Sequence, residues 1–262
     1  MHKLSCPQEP IEFTNGVATF RQANPGDPRT PNKQWAAFYN EHPAAYKSAG
    51  ERLYENQGGL CAYCEIELTD NNRQIEHIIP KQRSSATTDY TFDFDNLLLC
   101  CKGGTNINSP FKDQFAPDLA KSDNCSCGEK KGDNPAIKFA SPYQLPAIPL
   151  VSIYYHPDNG VSFEVDEEAC ARESIDPAIV DETLRTLGLN CPRLKRNRRE
   201  IWKALEDEYA DLPETDLDKA LLELAEAHLT PQDGQLPAYI STRFLFLLAD
   251  LTDQQLLDIT KW

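Results

Sequence analysis

The spacing of apolar residues predicts a helix in the first quarter of the chain. Between residues 33 and 57, Trp35, Phe38 and Leu53 lie on one side of such a helix, and Gly58-Gly59 would end it. Residues 1–34 are rich in Pro, Asn and Thr and show little periodicity. We therefore expect an irregular arm there, with at most a short strand at 17–20.

The second half of the chain combines a strand hairpin with several helices. The segments LVSIYYH and VSFEV flank a Pro-Asp-Asn-Gly turn, which is the pattern of a β-hairpin. Asp176-Pro177 starts a helical pattern that persists to the C-terminus, with Gly188 as a stop. Further helices are predicted around Leu194–Tyr209, over 217–229 and over 239–248.

The middle of the chain carries weaker patterns. A strand is predicted at 74–78, and a helix is predicted to begin within 90–101, with Asp93 or Asp95 as its N-cap before Asn96. Residues 102–126 are polar, as in a long loop. The whole pattern predicts an α+β fold, mostly α, in three parts. These are an N-terminal arm and helix at 1–57, a core at 58–136, and a hairpin with a helical region at 137–262.

Composition places this chain of 262 residues among ordinary globular proteins, with 40% apolar and 26% charged residues. No apolar run approaches the length of a membrane span, and residues 1–10 lack the apolar stretch of a signal peptide. We therefore expect a cytoplasmic protein that makes no membrane contact.

Net charge narrows the functions that the chain can have. The formal charge of −15 argues against a general binder of polyanions, although a local cationic site, a bound metal or a basic partner still allows a nuclease. Residues 193–203 hold six Lys or Arg and one Glu, whereas residues 204–262 hold thirteen Asp or Glu against three Lys or Arg, a net of −10. The basic run is either an exposed helix face or a strip that contacts phosphates or an acidic partner.

Cysteines cluster in the middle part, where six of the nine fall between residues 61 and 127. They stand at 61 and 64 in a C-x-x-C pair, at 100 and 101, and at 125 and 127. A redox C-x-x-C would lie between a strand and a helix of thioredoxin type, whereas polar, strand-like sequence follows here. In a reducing compartment, clustered thiols favour a metal over disulfides. Two thiols from the C-x-x-C pair and two from the later pairs predict a closed tetrahedral zinc site. The spacing alone leaves open which thiol of each later pair binds the ion.

An acid–histidine pair, Glu76-His77, lies between these thiols, and Asn96 follows it. Hydrolysis of a phosphodiester needs a base near neutral pH, and the imidazole of His77 can take a proton from water. The side-chain carbonyl of Asn96 is expected to hold the other ring nitrogen. The carboxylate of Glu76 is a hard oxygen ligand suited to Mg²⁺ or Mn²⁺. Neighbours on a strand point to opposite faces, so Glu76 and His77 would meet through a local twist or bulge.

The segments CAYC, IEHIIPK, DNLLLCC and CSCGEKKGD together resemble an HNH nuclease, which has a ββα-metal core and a four-cysteine zinc knuckle. The chain is more closely similar to the HNH proteins of Septu anti-phage systems, the PtuB type, and to their relatives beside retrons. The opening MHKL, the block CAYCE, the stretch LGLNCPRLKRNRREIW and the segment LPAYIST carry that closer resemblance. It therefore spans most of the chain.

The resemblance implies a set of site residues and cofactors. His77 would be the general base, Asn96 would orient it, and Glu76 would bind a catalytic Mg²⁺ or Mn²⁺. Lys81 and Lys131 are candidate phosphate contacts. A structural Zn²⁺ would be held by Cys61, Cys64, Cys101 and Cys127, with Cys100 and Cys125 as bystanders.

One position departs from the family pattern. Many HNH proteins have His or Asn directly after the last zinc cysteine, where it completes the catalytic metal site, and this chain has Gly128. Glu129, Asp133 or Asn134 are candidates to replace that ligand, and water is the other possibility. Gly128 favours the alternative of a zinc-stabilised module that binds nucleic acid or protein without cutting.

The resemblance also implies partners. In the resembled systems the HNH subunit works with an ATPase of the SMC/ABC kind, the PtuA type. Retron versions add a reverse transcriptase with its RNA–DNA hybrid. These partners would then bind the nucleic acid for the acidic nuclease. The N-terminal arm or the acidic helical half would be the surface that docks on them. The expected function is that of an HNH endonuclease subunit in prokaryotic anti-phage defence.

Overall fold

The computed structural model describes residues 1–85, 87–104, 121–133 and 139–261, and these form ten α-helices and two two-stranded sheets. The helices are α1 Ile11–Ala23, α2 Pro31–Glu41, α3 Pro43–Asn56, α4 Cys127–Lys131, α5 Glu167–Arg172, α6 Pro177–Thr186, α7 Pro192–Ala210, α8 Leu217–Leu229, α9 Ile240–Leu247 and α10 Asp253–Thr260. The strands are β1 Arg73–His77, β2 Leu97–Cys101, β3 Val151–His156 and β4 Gly160–Val165. The chain is thus mostly helical with small sheets, as the sequence predicts.

Helix α1 corrects the prediction of an irregular arm at 1–34. Phe13, Val17 and Phe20 follow one another at helical spacing and are all buried. The residues predicted as a short strand at 17–20 belong to the second half of this helix. α1 packs so closely on α3 that a Cβ atom added at Gly16 would lie 2.4 Å from Ala45 Cβ.

The single helix predicted at 33–57 is two helices, α2 and α3. His42 ends the first, and Pro43 begins the second at a position where a helix needs no backbone N–H. Because proline cannot continue the hydrogen bonding of α2, the chain turns at this point. Both helices contribute to the main apolar core, with Phe38 from α2 and Leu53 from α3 fully buried.

Strand β1 confirms the strand predicted at 74–78, whereas β2 corrects the helix predicted within 90–101. The two strands run antiparallel, with His77 opposite Leu97. Asp93 does cap a turn, but this is a short 3₁₀ turn at Phe94–Asn96 that leads into the strand. All five residues of β2 are buried. A strand covered on both faces shows no polar–apolar alternation, and its short apolar run is easily mistaken for a helix.

Helices and strands of the C-terminal half agree well with their predicted positions. β3 and β4 form the predicted hairpin, and Gly160 has a φ of 88° where the hairpin seats against α7. Helices begin at Pro177 and Leu217 as expected, and α9 lies within the predicted 239–248. α7 packs on β4 and α9, and a second apolar cluster joins α8, α9 and α10.

Packing crosses the three predicted parts of the chain. The main apolar core contains Phe13 from the first part, Leu97 from the second and Leu194 from the third. The boundaries at 57 and 136 stay predictions, and most of the predicted loop at 102–126 lies outside the described residues. No helix in the described part of the chain combines the length and the apolar character that a bilayer span requires.

Candidate active site and metal centre

Four thiols meet beside the β1–β2 sheet. All four are buried, and their Sγ atoms lie within 4.8 Å of one another. The separations are 3.7 Å for Cys61–Cys127 and 3.6 Å for both Cys64–Cys101 and Cys101–Cys127. This group is the set of four that the family resemblance implies, and its grouping as a cluster able to hold a metal ion is confirmed.

The geometry of the cluster fits a zinc ion. Zinc–sulfur bonds of about 2.3 Å in a tetrahedron place the sulfur atoms about 3.7–3.8 Å apart, close to the separations in the cluster. Four thiolates are also the donor set of a closed structural zinc site. A Zn²⁺ ion held here would join the turn at 61–64 to strand β2 and helix α4.

Strand geometry separates the two adjacent cysteines of β2. Successive side chains of a strand point to opposite faces. Cys101 joins the other thiols, whereas Cys100 Sγ lies on the side of Gln74 and Gly128. Cys125 is partly exposed and is not a member of the group. The positions of Cys100 and Cys125 match those of bystanders.

A buried glutamine holds the strand that carries Cys101. The Nε2 of Gln57 donates to the carbonyl oxygens of Leu60 and Leu99, at 2.7 and 2.9 Å, and its Oε1 accepts from Leu99 N at 2.7 Å. Gln57 thereby ties the end of α3 to the first thiol turn and to β2. Sequence reasoning missed this residue, because a glutamine before Gly-Gly looks like the polar end of a helix.

A buried arginine from α7 faces the thiol cluster. Arg193 donates from Nη2 to Ser126 Oγ at 2.7 Å, one residue before Cys127. Burial disfavours the charge of Arg193, but the thiols of Cys101 and Cys64 raise its pKa above the ordinary value. Four thiolates around Zn²⁺ carry a net charge of about −2, so a buried guanidinium nearby compensates part of it. The C-terminal helices are thus connected to the metal centre.

A second group of side chains surrounds Glu76 on β1. The Nζ of Lys131, at the end of α4, lies 2.6 Å from Glu76 Oε1 and 2.5 Å from the carbonyl oxygen of His77. The side chain of Lys131 is only 1% exposed. Burial raises the pKa of Glu76 above its ordinary value, and the charge of Lys131 opposes that rise. Lys131 is therefore an internal partner of Glu76, and its predicted contact with phosphate stays a prediction.

Gly128 departs from the family pattern for a steric reason. A Cβ atom at this position would lie 2.7 Å from Glu76 Oε2, 2.9 Å from Glu76 Cδ and 3.0 Å from Cys100 Sγ. These separations are at or below the closest approach that such atoms normally make. The carboxylate of Glu76 thus occupies the space that a side chain at position 128 would need.

His77 ends β1 with its ring enclosed by two neighbours. The ring packs edge-on against Trp35, with 4.7 Å between ring centroids, and Nε2 lies 3.1 Å from the carbonyl oxygen of Thr91. Because a carbonyl oxygen only accepts, Nε2 carries the proton of the neutral ring and Nδ1 keeps its electron pair. Burial lowers the pKa of His77 to about 3, and the charge of Lys81 adds to the effect, so the ring is neutral at physiological pH.

Asn96 makes contacts different from the predicted one. Its Oδ1 accepts from Ile79 N at 2.7 Å, and its Nδ2 donates to the carbonyl oxygens of Ile79 and Tyr90 at 2.9 and 3.0 Å. These bonds join the chain after His77 to the chain before β2. The ring contact expected of Asn96 is made by the backbone of Thr91. Asn96 therefore supports the loop around the histidine and reaches the ring only through it.

Glu76 and His77 both line one open cavity of about 190 Å³. Successive residues of a strand point apart, but His77 is the last residue of β1, and the chain leaves the sheet there. Lys81 lines the same cavity, half-buried, and burial lowers its pKa. Of the candidates for a further metal ligand, Glu129 and Asp133 line the cavity, and Asn134 lies outside the described residues.

The cavity offers few ligands for a catalytic ion. Within the described ranges, the four cysteines form the group whose donor atoms lie close enough together to hold a metal ion. A divalent ion beside Glu76 would rely on that carboxylate, water and substrate. Mg²⁺ is usually bound in this manner, by one or two carboxylates together with phosphate oxygens. The donor set therefore fits Mg²⁺ better than an ion that needs a full protein cage.

Two curated proteins resemble this chain over most of their length. One, from Escherichia coli, is named "Retron Ec83 putative HNH endonuclease" and is 32% identical over 195 residues, which are 66% of this chain and 72% of that protein. The chain belongs to the HNH endonuclease family of retron-associated defence. The other, from Vibrio cholerae serotype O1 biovar El Tor, is named "Retron Vc95 putative HNH endonuclease" and is 27% identical over 158 residues, which are 58% of this chain and 62% of that protein. No family model matches the chain.

As an HNH endonuclease of this family, the chain is a nuclease, and the resemblance drawn from its motifs is confirmed. The narrower likeness to Septu proteins and the roles of His77, Asn96 and Glu76 stay predictions. Sequence reasoning missed two neighbours of the histidine in this HNH endonuclease, Trp35 and Thr91. Trp35 was visible only as one member of an apolar helix face. Thr91 acts through its backbone carbonyl, so no residue type marks it.

Proposed function

We propose that the chain hydrolyses phosphodiester bonds of nucleic acid in a metal-dependent reaction at the cavity of Glu76 and His77. One observation carries this proposal: an acid and a neutral histidine share an open cavity at the end of β1, beside the four-thiol cluster. The succession of β1, β2 and α4 supports a ββα-metal arrangement, with Cys127 at one end of α4 and Lys131 at the other.

His77 is the proposed proton acceptor. Thr91 fixes the proton on Nε2, so Nδ1 is the atom available to take a proton from an attacking water. The low pKa of His77 keeps its imidazole neutral before substrate binds, and the neutral ring is the form that accepts a proton. A phosphodiester anion entering the cavity would oppose the charge of Lys81 and raise the basicity of the ring toward the range a general base needs.

Glu76 is the proposed protein ligand of a divalent ion, Mg²⁺ or Mn²⁺. Such an ion would supply positive charge where negative charge develops on the phosphate and the leaving oxygen. Until an ion binds, Lys131 holds the carboxylate of Glu76 in place at 2.6 Å. Lys81 lies half-buried at the same cavity and is the proposed phosphate contact.

The partners are also part of this proposal. Both relatives are named as retron proteins, which supports a reverse transcriptase and its RNA–DNA hybrid as neighbours. An SMC/ABC-like ATPase is the proposed activating subunit, with the acidic helical half of the chain as a docking surface for it. Co-purification of the chain with the ATPase encoded beside it tests this. A chain that stays monomeric in its presence would argue against it.

Cleavage of plasmid and single-stranded DNA by the zinc-loaded chain, with Mg²⁺ or Mn²⁺ added, tests the catalytic proposal. We expect cleavage with added metal and a loss of at least about tenfold in Glu76→Gln, because an amide is a poorer ligand for these ions. Glu51→Gln, which makes the same change at an exposed position on α3, is the matched control and should cut like the wild type. Absence of cleavage with either metal, also with the ATPase present, would instead support a zinc-stabilised binding module.

A further inference from the structure

The basic run at 193–203 divides into two sets once α7 is folded. Arg193 and Arg198 are buried, and their guanidinium groups bond to protein. Arg198 donates to the carbonyl oxygens of Val161 and Leu189, at 2.9 and 2.8 Å. These two arginines stabilise the fold, so they correct the prediction of a run of six exposed cations. The question of function concerns the four that remain.

The four remaining cations lie on the outward side of α7. They are Lys195, Arg196, Arg199 and Lys203, of which Lys203 is exposed and the others are half-buried. Lys195 and Arg199 share a stripe with Trp202 at the spacing i, i+4 and i+7, which places all three along one side of the helix. From residue 195 to residue 203 the helix rises about 12 Å, enough for more than one phosphate of an extended strand.

The β3–β4 hairpin adds an aromatic ring to this side of α7. Tyr155 on β3 is 36% exposed, and its ring centroid lies 6.5 Å from that of Trp202. At the other end, the turn at Gly160 sits on the helix backbone, where an added Cβ would lie 2.5 Å from Lys195 O. The hairpin and the cations of α7 therefore form one continuous surface.

The charges of α7 are placed against the helix macrodipole. Lys195 lies in the first turn, where the positive end of the dipole disfavours cations. The opposite half carries Glu206, Asp207 and Glu208, toward the negative end. This order does not stabilise the helix, and a cationic cluster is also unusual in a chain with a formal charge of −15. The macrodipole therefore does not account for this distribution of charge.

The surface begins where α7 meets the nuclease core. Arg193, two residues before Lys195, bonds to Ser126, and its backbone N–H donates to Asn124 Oδ1 at 3.2 Å. Ser126 directly precedes α4, which carries Lys131 to the cavity of Glu76. The end of α7 at which the surface begins is thus joined to the element that reaches the candidate active site.

We propose that Lys195, Arg196, Arg199 and Lys203, together with Tyr155 and Trp202, bind single-stranded nucleic acid. The cations would contact phosphates, and the partly exposed ring of Tyr155 would stack against an unpaired base. Acids also lie within the surface: Glu200 pairs with Arg199, Glu206 accepts from Trp202 Nε1 at 2.8 Å, and Asp207 follows Lys203 by one helical turn. A bound nucleic-acid strand would compete with Glu200 for the guanidinium of Arg199. This inference rests on the proposed nuclease function and extends it to the class of substrate.

Fluorescence anisotropy with labelled polythymidine tests the surface. The full zinc-loaded chain is used in a His77→Ala background, so that binding is measured without cutting. We expect Lys195→Glu/Lys203→Glu to weaken binding at least about tenfold and to reduce the slope of log affinity against log salt by about 1.4, the value for two lost phosphate contacts. The matched control is Lys47→Glu/Lys219→Glu on α3 and α8, which makes the same change in net charge at exposed positions.

A second variant tests the stacking. Tyr155→Leu keeps an apolar side chain beside Trp202 and should weaken polythymidine binding about fivefold or more, while binding of a duplex of equal length is unchanged. If both double variants lost the same amount of affinity, the loss would come from net charge alone and the proposal would be overturned. No loss in Lys195→Glu/Lys203→Glu would overturn it in favour of an acidic protein partner. With His77 intact, cleavage that persists in Lys195→Glu/Lys203→Glu contradicts the surface alone, and a wild-type chain that binds polythymidine without cutting any nucleic acid contradicts the nuclease proposal alone.

Discussion

The two ends of helix α4 belong to two sites of opposite character. At its first residue, Cys127 completes a group of four buried thiols with sulfur atoms 3.6–3.7 Å apart. At its last residue, Lys131 bonds to Glu76 at an open cavity lined by charged groups. The first site is closed and made of soft ligands, whereas the second is open to a substrate and made of hard ones. This is the contrast expected between a structural metal site and the catalytic one that we propose at the cavity.

The comparison suggests how a small core could position the proposed catalytic groups. The strands β1 and β2 have five residues each and α4 also has five, too little to pack a core of their own. A zinc ion in the thiol cluster would fix β2 and α4 against the turn at 61–64. The bound zinc would thereby fix the positions of Glu76, Lys131 and His77. Loss of zinc from the thiol cluster should disturb the cavity, whereas substitutions at the cavity should leave the zinc bound.

The largest effect is expected from Cys101→Ala. Loss of one thiolate should remove zinc and lower the free energy of unfolding by on the order of 5 kcal/mol, since metal binding and folding of such sites are coupled. Zinc content by mass spectrometry and a thermal melt measure both. Cys100→Ala, the adjacent residue on the other face of β2, is the matched control and should keep its zinc. If Cys100→Ala lost its zinc and Cys101→Ala retained it, the assignment of Cys101 as the zinc ligand would be wrong.

A smaller effect is expected from Asn96→Ala. The variant removes three hydrogen bonds to Ile79 and Tyr90, so we expect a loss of about 3 kcal/mol in the free energy of unfolding with full zinc content. Cleavage should fall as well, because the loop that carries Thr91 loses its support. Chemical denaturation and a cleavage assay measure the two effects. Unchanged stability together with lost cleavage would instead favour the direct contact to His77 that the sequence suggests.

The smallest effect on stability is expected from Gly128→Ala. The new Cβ would lie 2.7 Å from Glu76 Oε2 and push the carboxylate away, at a cost of about 1–2 kcal/mol, while zinc stays bound. Cleavage should fall more than stability, since Glu76 is the proposed metal ligand. Gly50→Ala on α3, whose added Cβ meets only Ile75 Cδ1 at 3.9 Å, is the control: it should raise the free energy of unfolding by about 0.5–1 kcal/mol through helix propensity and leave cleavage unchanged. Equal behaviour of the two variants would contradict the close packing of Glu76 on Gly128.

The sequence predicted the C-terminal elements better than the N-terminal ones for physical reasons. Asp176-Pro177 and the stripe of α7 are strong local signals for a helix start and a buried face. In α1 the equally regular Phe13, Val17 and Phe20 were outweighed by the Pro, Asn and Thr around them. In β2 a run of five apolar residues is compatible with a helix or a strand, and it is the pairing with β1 that makes it a strand.

The candidate site was predictable where residue type carries the chemistry. Thiols at metal-ligand spacing and an acid–histidine pair mark Cys61, Cys64, Glu76 and His77. The contacts of Lys131 and Asn96 were not predictable, because they depend on which backbone carbonyls lie nearby. The close approach of Gly128 to Glu76 was not predictable either, since it requires the packing of α4 on β2.

The most direct test of the central claim is cleavage by His77→Ala under the conditions in which the wild-type chain cuts, with zinc content measured in the same preparation. If His77 accepts the proton at the cavity while the thiols only hold the core, cleavage falls at least about 100-fold and zinc content stays at the wild-type value, while loss of the buried ring lowers the melting temperature without unfolding the chain. A His77→Ala chain that retains its zinc and cuts at the wild-type rate would contradict the account.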